Sequence, residues 1–180
     1  MSQEYIQNMT EENIQQNAAS IFTRVRDIPY VLGTQNNCTN KHFYLLPKLK
    51  QLGYKIEIGI AQFNWQDLSP IPKEITALLK DPIDVHLFLY AKRNSAEMIV
   101  DASWDPGMPD GFQINSWDGC NQTVIGVPAL SIHRVSYHLL SARVSLGRLL
   151  RKMLTDQPKP TPFNDAFNAW LGRANLSQPK

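Results

Sequence analysis

The sequence predicts a single domain of mixed helix and strand. Two observations carry that prediction: two early segments with apolar residues at helical spacing, and three short β-branched, apolar runs after them. The first helix is expected over Glu11 to Arg26, where Ile14, Ala18, Ile21, Phe22 and Val25 share a face behind a Thr10 cap. Asp27, Ile28 and Pro29 stop it. The second begins within "NNCTNKHFYLLPKLKQLGY" (Asn36 to Tyr54), with Leu45, Leu49 and Leu52 about one turn apart and Gly53 placed to end it. Pro47 lies inside this helix, lacks a donor and clashes with the Phe43 carbonyl, so a kink or early break is expected there.

Strands are expected at "KIEIGIAQF" (Lys55 to Phe63), "DVHLFLYA" (Asp84 to Ala91) and "EMIVDASW" (Glu97 to Trp104). Between the first two, "PKEITALLK" reads as a short helix begun by Pro72. Loops occupy Asp105 to Thr123, and an amphipathic segment follows from Val135 to Leu154. "DQPKPTP" (Asp156 to Pro162) is a stiff linker to a last helix over Asn164 to Arg173, an appendage or an interaction element carrying Phe167, Trp170 and Leu171. The chain thus divides into a domain over residues 1–155 and a linker with C-terminal helix over 156–180.

Composition narrows the function. With 180 residues at 43% hydrophobic, the chain can build a real core. Its 18 basic and 16 acidic residues are mixed, with no run of like charge that suggests a nucleic-acid arm or a polybasic membrane patch. The first thirty residues lack the pattern of a signal peptide and no stretch has the length of an apolar span, so a cytoplasmic protein that binds neither nucleic acid nor membrane is expected. Cys38 and Cys120 belong to no zinc-ligand pattern, and no metal or cofactor is expected.

The chemistry starts at Cys38. At a helix start its sulfur faces unpaired backbone N–H groups and the positive end of the dipole, a setting that takes a thiol from roughly 8.5 into the 3.5 to 7.5 range. His86 and Asp101 are polar residues embedded in strands. In a regular hairpin with the loop Lys92 to Ser95, Ala91 opposes Ala96 and His86 opposes Asp101, with β-carbons about 5 Å apart. Nucleophile, base and orienter are the parts of a cysteine acyl-transfer site. The Cys38 backbone N–H is the natural first oxyanion donor, Gln35, Asn36 or Asn37 can supply a second, and Trp65 and Trp104 can wall an acyl groove. His42, His133 and His138 have no partner at ligand spacing and are read as surface or packing residues, Cys120 as a bystander, and Asp105 as a turn-forming aspartate.

The run C-T-N-K-x-x-x-L-L-x-x-L-x-x-L-G-Y from Cys38 to Tyr54, with H-L-F-L at His86 and V-D-A-S-W-D at Val100 to Asp105, resembles the transglutaminase-like superfamily of papain-type folds. The resemblance covers about Ile21 to Trp104. It implies an α+β domain with the cysteine helix packed on an antiparallel sheet, and Cys38, His86 and Asp101 as nucleophile, base and orienter. The expected activity is acyl transfer from a peptide, protein or small amide or ester substrate through a thioester, with hydrolysis preferred because no amine pocket is legible. The alternatives are a cross-linking transglutaminase, an arylamine N-acetyltransferase-like enzyme using an acyl-CoA, and a non-catalytic binding module built on Trp170 and the terminal helix.

Overall fold

The computed structural model describes residues 9–135 and 161–173. Helix α1 (Glu11–Arg26) opens where the Thr10 side chain accepts the Asn13 N–H at 3.3 Å, and it buries the expected apolar face from Ile14 to Val25. Helix α2 (Cys38–Gln51) is capped by Asn37, whose Oδ1 accepts the Asn40 N–H at 3.0 Å. The break expected at Pro47 is absent, since the helix continues through it to Gln51. A proline inside a helix costs about 3 kcal/mol. Leu45, Leu46 and Leu49 are all buried on either side of it, and at about 1.5 to 3 kcal/mol each their burial outweighs that cost.

Four antiparallel strands form one sheet in the order β3-β2-β1-β4: β1 (Lys55–Asn64), β2 (Ile83–Arg93), β3 (Ala96–Val100) and β4 (Ala129–Val135). The fold is therefore α+β. The short helix α3 (Lys73–Thr76) lies between β1 and β2, with Pro72 as its cap. Both faces of the central strands are covered, as their burial requires: Leu87 and Leu89 join α1 and α2 in one apolar layer, and Phe88 joins an aromatic layer with Tyr30, Phe63, Trp104 and Phe167. The Phe88 ring lies directly over Gly59, its partner across the ladder, where a β-carbon would collide with it.

Three strand expectations are corrected. The hairpin loop is two residues, Asn94 and Ser95, both at positive φ (47° and 70°), so Arg93 pairs with Ala96 and Leu89 with Val100. That pairing is shifted by two residues from the expected one, which preserves the face each side chain occupies. Strand β3 ends at Val100 and does not reach Trp104, because three successive N–H groups turn to side chains. Asp101 N–H donates to Thr123 Oγ1, Ala102 N–H to His42 Nε2 and Ser103 N–H to Asp101 Oδ1. Strand β4 is not among the expected strands; it is an edge strand, and its Leu130, Ile132, His133 and Arg134 are exposed.

Helix α4 (Pro162–Trp170) starts two residues earlier than expected, behind a Thr161 cap that accepts the Asn164 N–H. It packs into the aromatic layer through buried Phe163 and Phe167. Asn168 pins the loop before α2, accepting the Leu32 N–H and donating to the Leu32 carbonyl, both at 2.9 Å. The amphipathic segment expected beyond Val135, His138 and most of the Asp156 to Pro162 linker lie outside the described residues.

Candidate active site

Cys38 is the first residue of α2 and is half-buried. The loop that delivers it turns at Gly33, whose φ of 75° favours glycine, and is held by the Val31 N–H on the Asn36 carbonyl and the Asn36 N–H on Thr34 Oγ1. His86 comes from β2 and Asp101 from the residue just after β3, and their side chains meet: Nε2 lies 2.7 Å from Oδ2, with both residues buried. They lie two residues off the pairing drawn from the sequence, on the diagonal of the ladder.

The carboxylate is fully occupied. Oδ2 also accepts the Gly126 N–H at 2.8 Å, and Oδ1 accepts the Ser103 N–H at 3.0 Å and the Ser103 hydroxyl at 2.6 Å. Asn115 Nδ2 donates to the Asp101 carbonyl. Each bond to the ionised form favours it. Burial pushes the Asp101 carboxyl up, but the charge and hydrogen bond of His86 outweigh it and hold the group well below the usual carboxylate range. Burial likewise works against the His86 imidazolium, yet the charge and hydrogen bond of Asp101, then those of Cys38, raise it to about 10. Burial also raises the Cys38 thiol; the hydrogen bond and charge of His86, with the Leu87 backbone, more than reverse this and leave it below its ordinary value. With Nε2 committed to Asp101, Nδ1 is the nitrogen left for the sulfur. The two groups shift in the directions that a thiolate–imidazolium pair requires, the thiol down and the imidazole up.

The remaining sequence-derived candidates are spread out. Asn37 is spent on its cap. Gln35 and Asn36 line a cavity of about 300 Å³ with Ile28, Asn40, Lys41 and Tyr44, and Cys38 does not line it. Trp65 and Trp104 are buried at 3% and 2% exposure, and their indole N–H groups are committed to Asp84 Oδ2 and the Gly126 carbonyl. They pack behind the site: Trp104 stacks near the His86 ring (6.4 Å, 22°), and Trp65 lies against Phe63.

Sequence reasoning missed four residues here. Tyr30 is buried against Trp104, with ring centroids 4.6 Å apart; burial first, then the Cys38 charge, push its phenol well above its ordinary value. His42, read as a surface or packing residue, is buried between Cys38 and Asp101. Its position one turn after Cys38, on the same helix face, was the available signal. Lys41 is buried too, with Nζ donating to the Arg26 and Ser103 carbonyls; burial lowers its pKa to about 8. Asp105 does form a turn, through the Gly107 N–H, but it also accepts the Tyr30 N–H and a two-point ion pair from Arg173.

Among the described residues no group of three or more His, Cys, Asp and Glu side chains is arranged to hold a metal ion, and no helix is long and apolar enough to cross a membrane. No family model matches the chain, and no curated protein or solved structure matches it either.

Proposed function

We propose that this protein is a cysteine-nucleophile acyl-transfer enzyme, hydrolysing an amide or ester of a peptide, protein or small molecule through a thioester. The observation that carries the reading is the buried 2.7 Å bond between His86 Nε2 and Asp101 Oδ2, beside a half-buried thiol at a helix start. The Cys38 thiolate attacks the carbonyl carbon, forming the S–C bond and moving the carbonyl electron pair onto oxygen. In this reading the Cys38 backbone N–H, at the start of α2, and the Tyr30 hydroxyl take the place of the loop amides as the oxyanion donors. His86 Nδ1–H gives its proton to the leaving amine or alcohol. Water then attacks the thioester, His86 takes its proton, and the S–C bond breaks to restore the ion pair. Asp101 accepts the Nε2–H bond throughout, so that proton stays on the His86 ring and the ring orientation is fixed.

The resemblance of the Cys38, His86 and Val100 to Asp105 segments to transglutaminase-like proteins supports the same reading, and extends the proposal to a papain-like core. The test is a panel of activated esters followed by intact-mass spectrometry. An acyl adduct on wild type that is absent from Cys38→Ala is the expected result. No adduct across the panel, or one that persists in Cys38→Ala, favours the binding-module alternative.

A further inference from the structure

His42 is fully buried, and both of its ring nitrogens are used. Nδ1 lies 2.7 Å from the Cys38 carbonyl oxygen, and Nε2 accepts the Ala102 backbone N–H at 2.9 Å. A carbonyl only accepts and an amide N–H only donates, so the ring carries one proton, on Nδ1. It therefore ties the nucleophile's own peptide to the peptide that follows Asp101. Nε2 also stands 3.6 Å from Asp101 Oδ1, beyond hydrogen-bond reach, and Ser103 already fills that oxygen twice. Two histidines thus flank one carboxylate, their rings 6.4 Å apart and nearly perpendicular, and only His86 bonds to it.

We propose that His42 is a positioning residue of the thiol site: as a neutral, Nδ1-protonated strut it fixes Cys38 against the Asp101–Ala102 turn and leaves the Asp101 carboxylate to His86 alone. The inference rests on the acyl-transfer reading of Cys38, His86 and Asp101. The groups facing the ring are Asp101 from the turn after β3, His86 from β2, and Lys41 and the Cys38 carbonyl from its own helix. Burial lowers its pKa to about 4, more than Asp101 raises it, so the ring is neutral where the thiolate pair exists. In acid, a proton on Nε2 confronts the Ala102 N–H and draws Asp101 away from His86.

Two variants separate the two ends of the strut. In His42→Asn the amide nitrogen occupies the place of Nδ1 and keeps the bond to Cys38; in His42→Gln the amide oxygen occupies the place of Nε2 and keeps the bond to Ala102. Each is expected to lower kcat for an activated ester by about 100-fold with KM little changed, as a misplacement of about 1 Å does. Each is also expected to move the pH midpoint of Cys38 alkylation by iodoacetamide upward, toward the free-thiol value. A variant that melts cooperatively yet keeps the wild-type midpoint and kcat overturns the inference. The wild-type protein decides the matter if neither variant folds: ¹⁵N NMR at pH 7 is expected to show His42 protonated on Nδ1 only, and an Nε2-protonated or charged ring overturns it. Slow alkylation of wild-type Cys38 would instead count against the acyl-transfer reading, which keeps the two failures distinct.

Discussion

Cys38 owes its lowered thiol to its neighbours, which overcome the effect of its own burial. Its thiol is lowered because a raised imidazole stands beside it, and that imidazole is raised because the buried Asp101 carboxylate bonds to it directly. Asp101→Asn breaks the chain at its root: the fold is retained and ester turnover falls by about 10⁴-fold, the scale seen when a triad base is held in the wrong tautomer. The same linkage makes stability depend on pH, with opposite signs at the two ends. The raised His86 contributes stability that is complete below its unfolded pKa of about 6.5 and lost as pH rises through its folded value of about 10. The lowered Asp101 contributes stability that is present above about 3.9 and lost as pH falls. Urea unfolding at pH 7 and pH 10 checks the first sign. Wild type is expected to lose more stability over that interval than His86→Gln, which has no such proton to release.

Local elements were legible in the sequence, and elements set by distant partners were not. Thr10 caps α1 through a bond only three residues long, which the sequence reveals, while Asn37, offered there as an oxyanion donor, caps α2 through a bond of the same span. The end of β3 is decided by His42 and Thr123, which lie far along the chain in either direction from Val100, and no strand propensity contains that information. Asp101 and His86 were legible as polar residues in apolar runs, and their common face survived the corrected register because the shift was even. His42 was missed because no ligand partner stands at sequence spacing; its partners are backbone groups. Two element-scale outcomes follow from the sheet. Gly59→Ala drives a β-carbon into the Phe88 ring and is expected to cost about 1 to 3 kcal/mol in urea unfolding. Ser95→Gly relieves a left-handed φ of 70° in the hairpin loop, and it is expected to stabilise by about 1 kcal/mol.

At the scale of the whole molecule, the C-terminal helix is joined to the site rather than appended to it. Arg173 donates to both Asp105 oxygens at 2.8 Å and to the Tyr30 carbonyl at 2.6 Å, while Asp105 holds the Tyr30 N–H at 2.7 Å. The last residues described therefore fix the backbone of Tyr30, whose phenol feels the Cys38 charge. Arg173→Ala leaves the buried Asp105 carboxylate without its cation and is expected to cost about 3 to 5 kcal/mol. Thermal unfolding of the variant measures that loss, and slower acylation of Cys38 by an activated ester should accompany it. The central claim, that the fold activates Cys38, is tested most directly by competition between the two thiols of the native protein. Cys120 is exposed and its thiol is raised, by desolvation and by the Asp118 carboxylate beside it, so access alone favours Cys120 while activation alone favours half-buried Cys38. Iodoacetamide at pH 6.5, with the modified residues mapped by mass spectrometry, is expected to label Cys38 well before Cys120; equal labelling, or Cys120 first, would contradict the account.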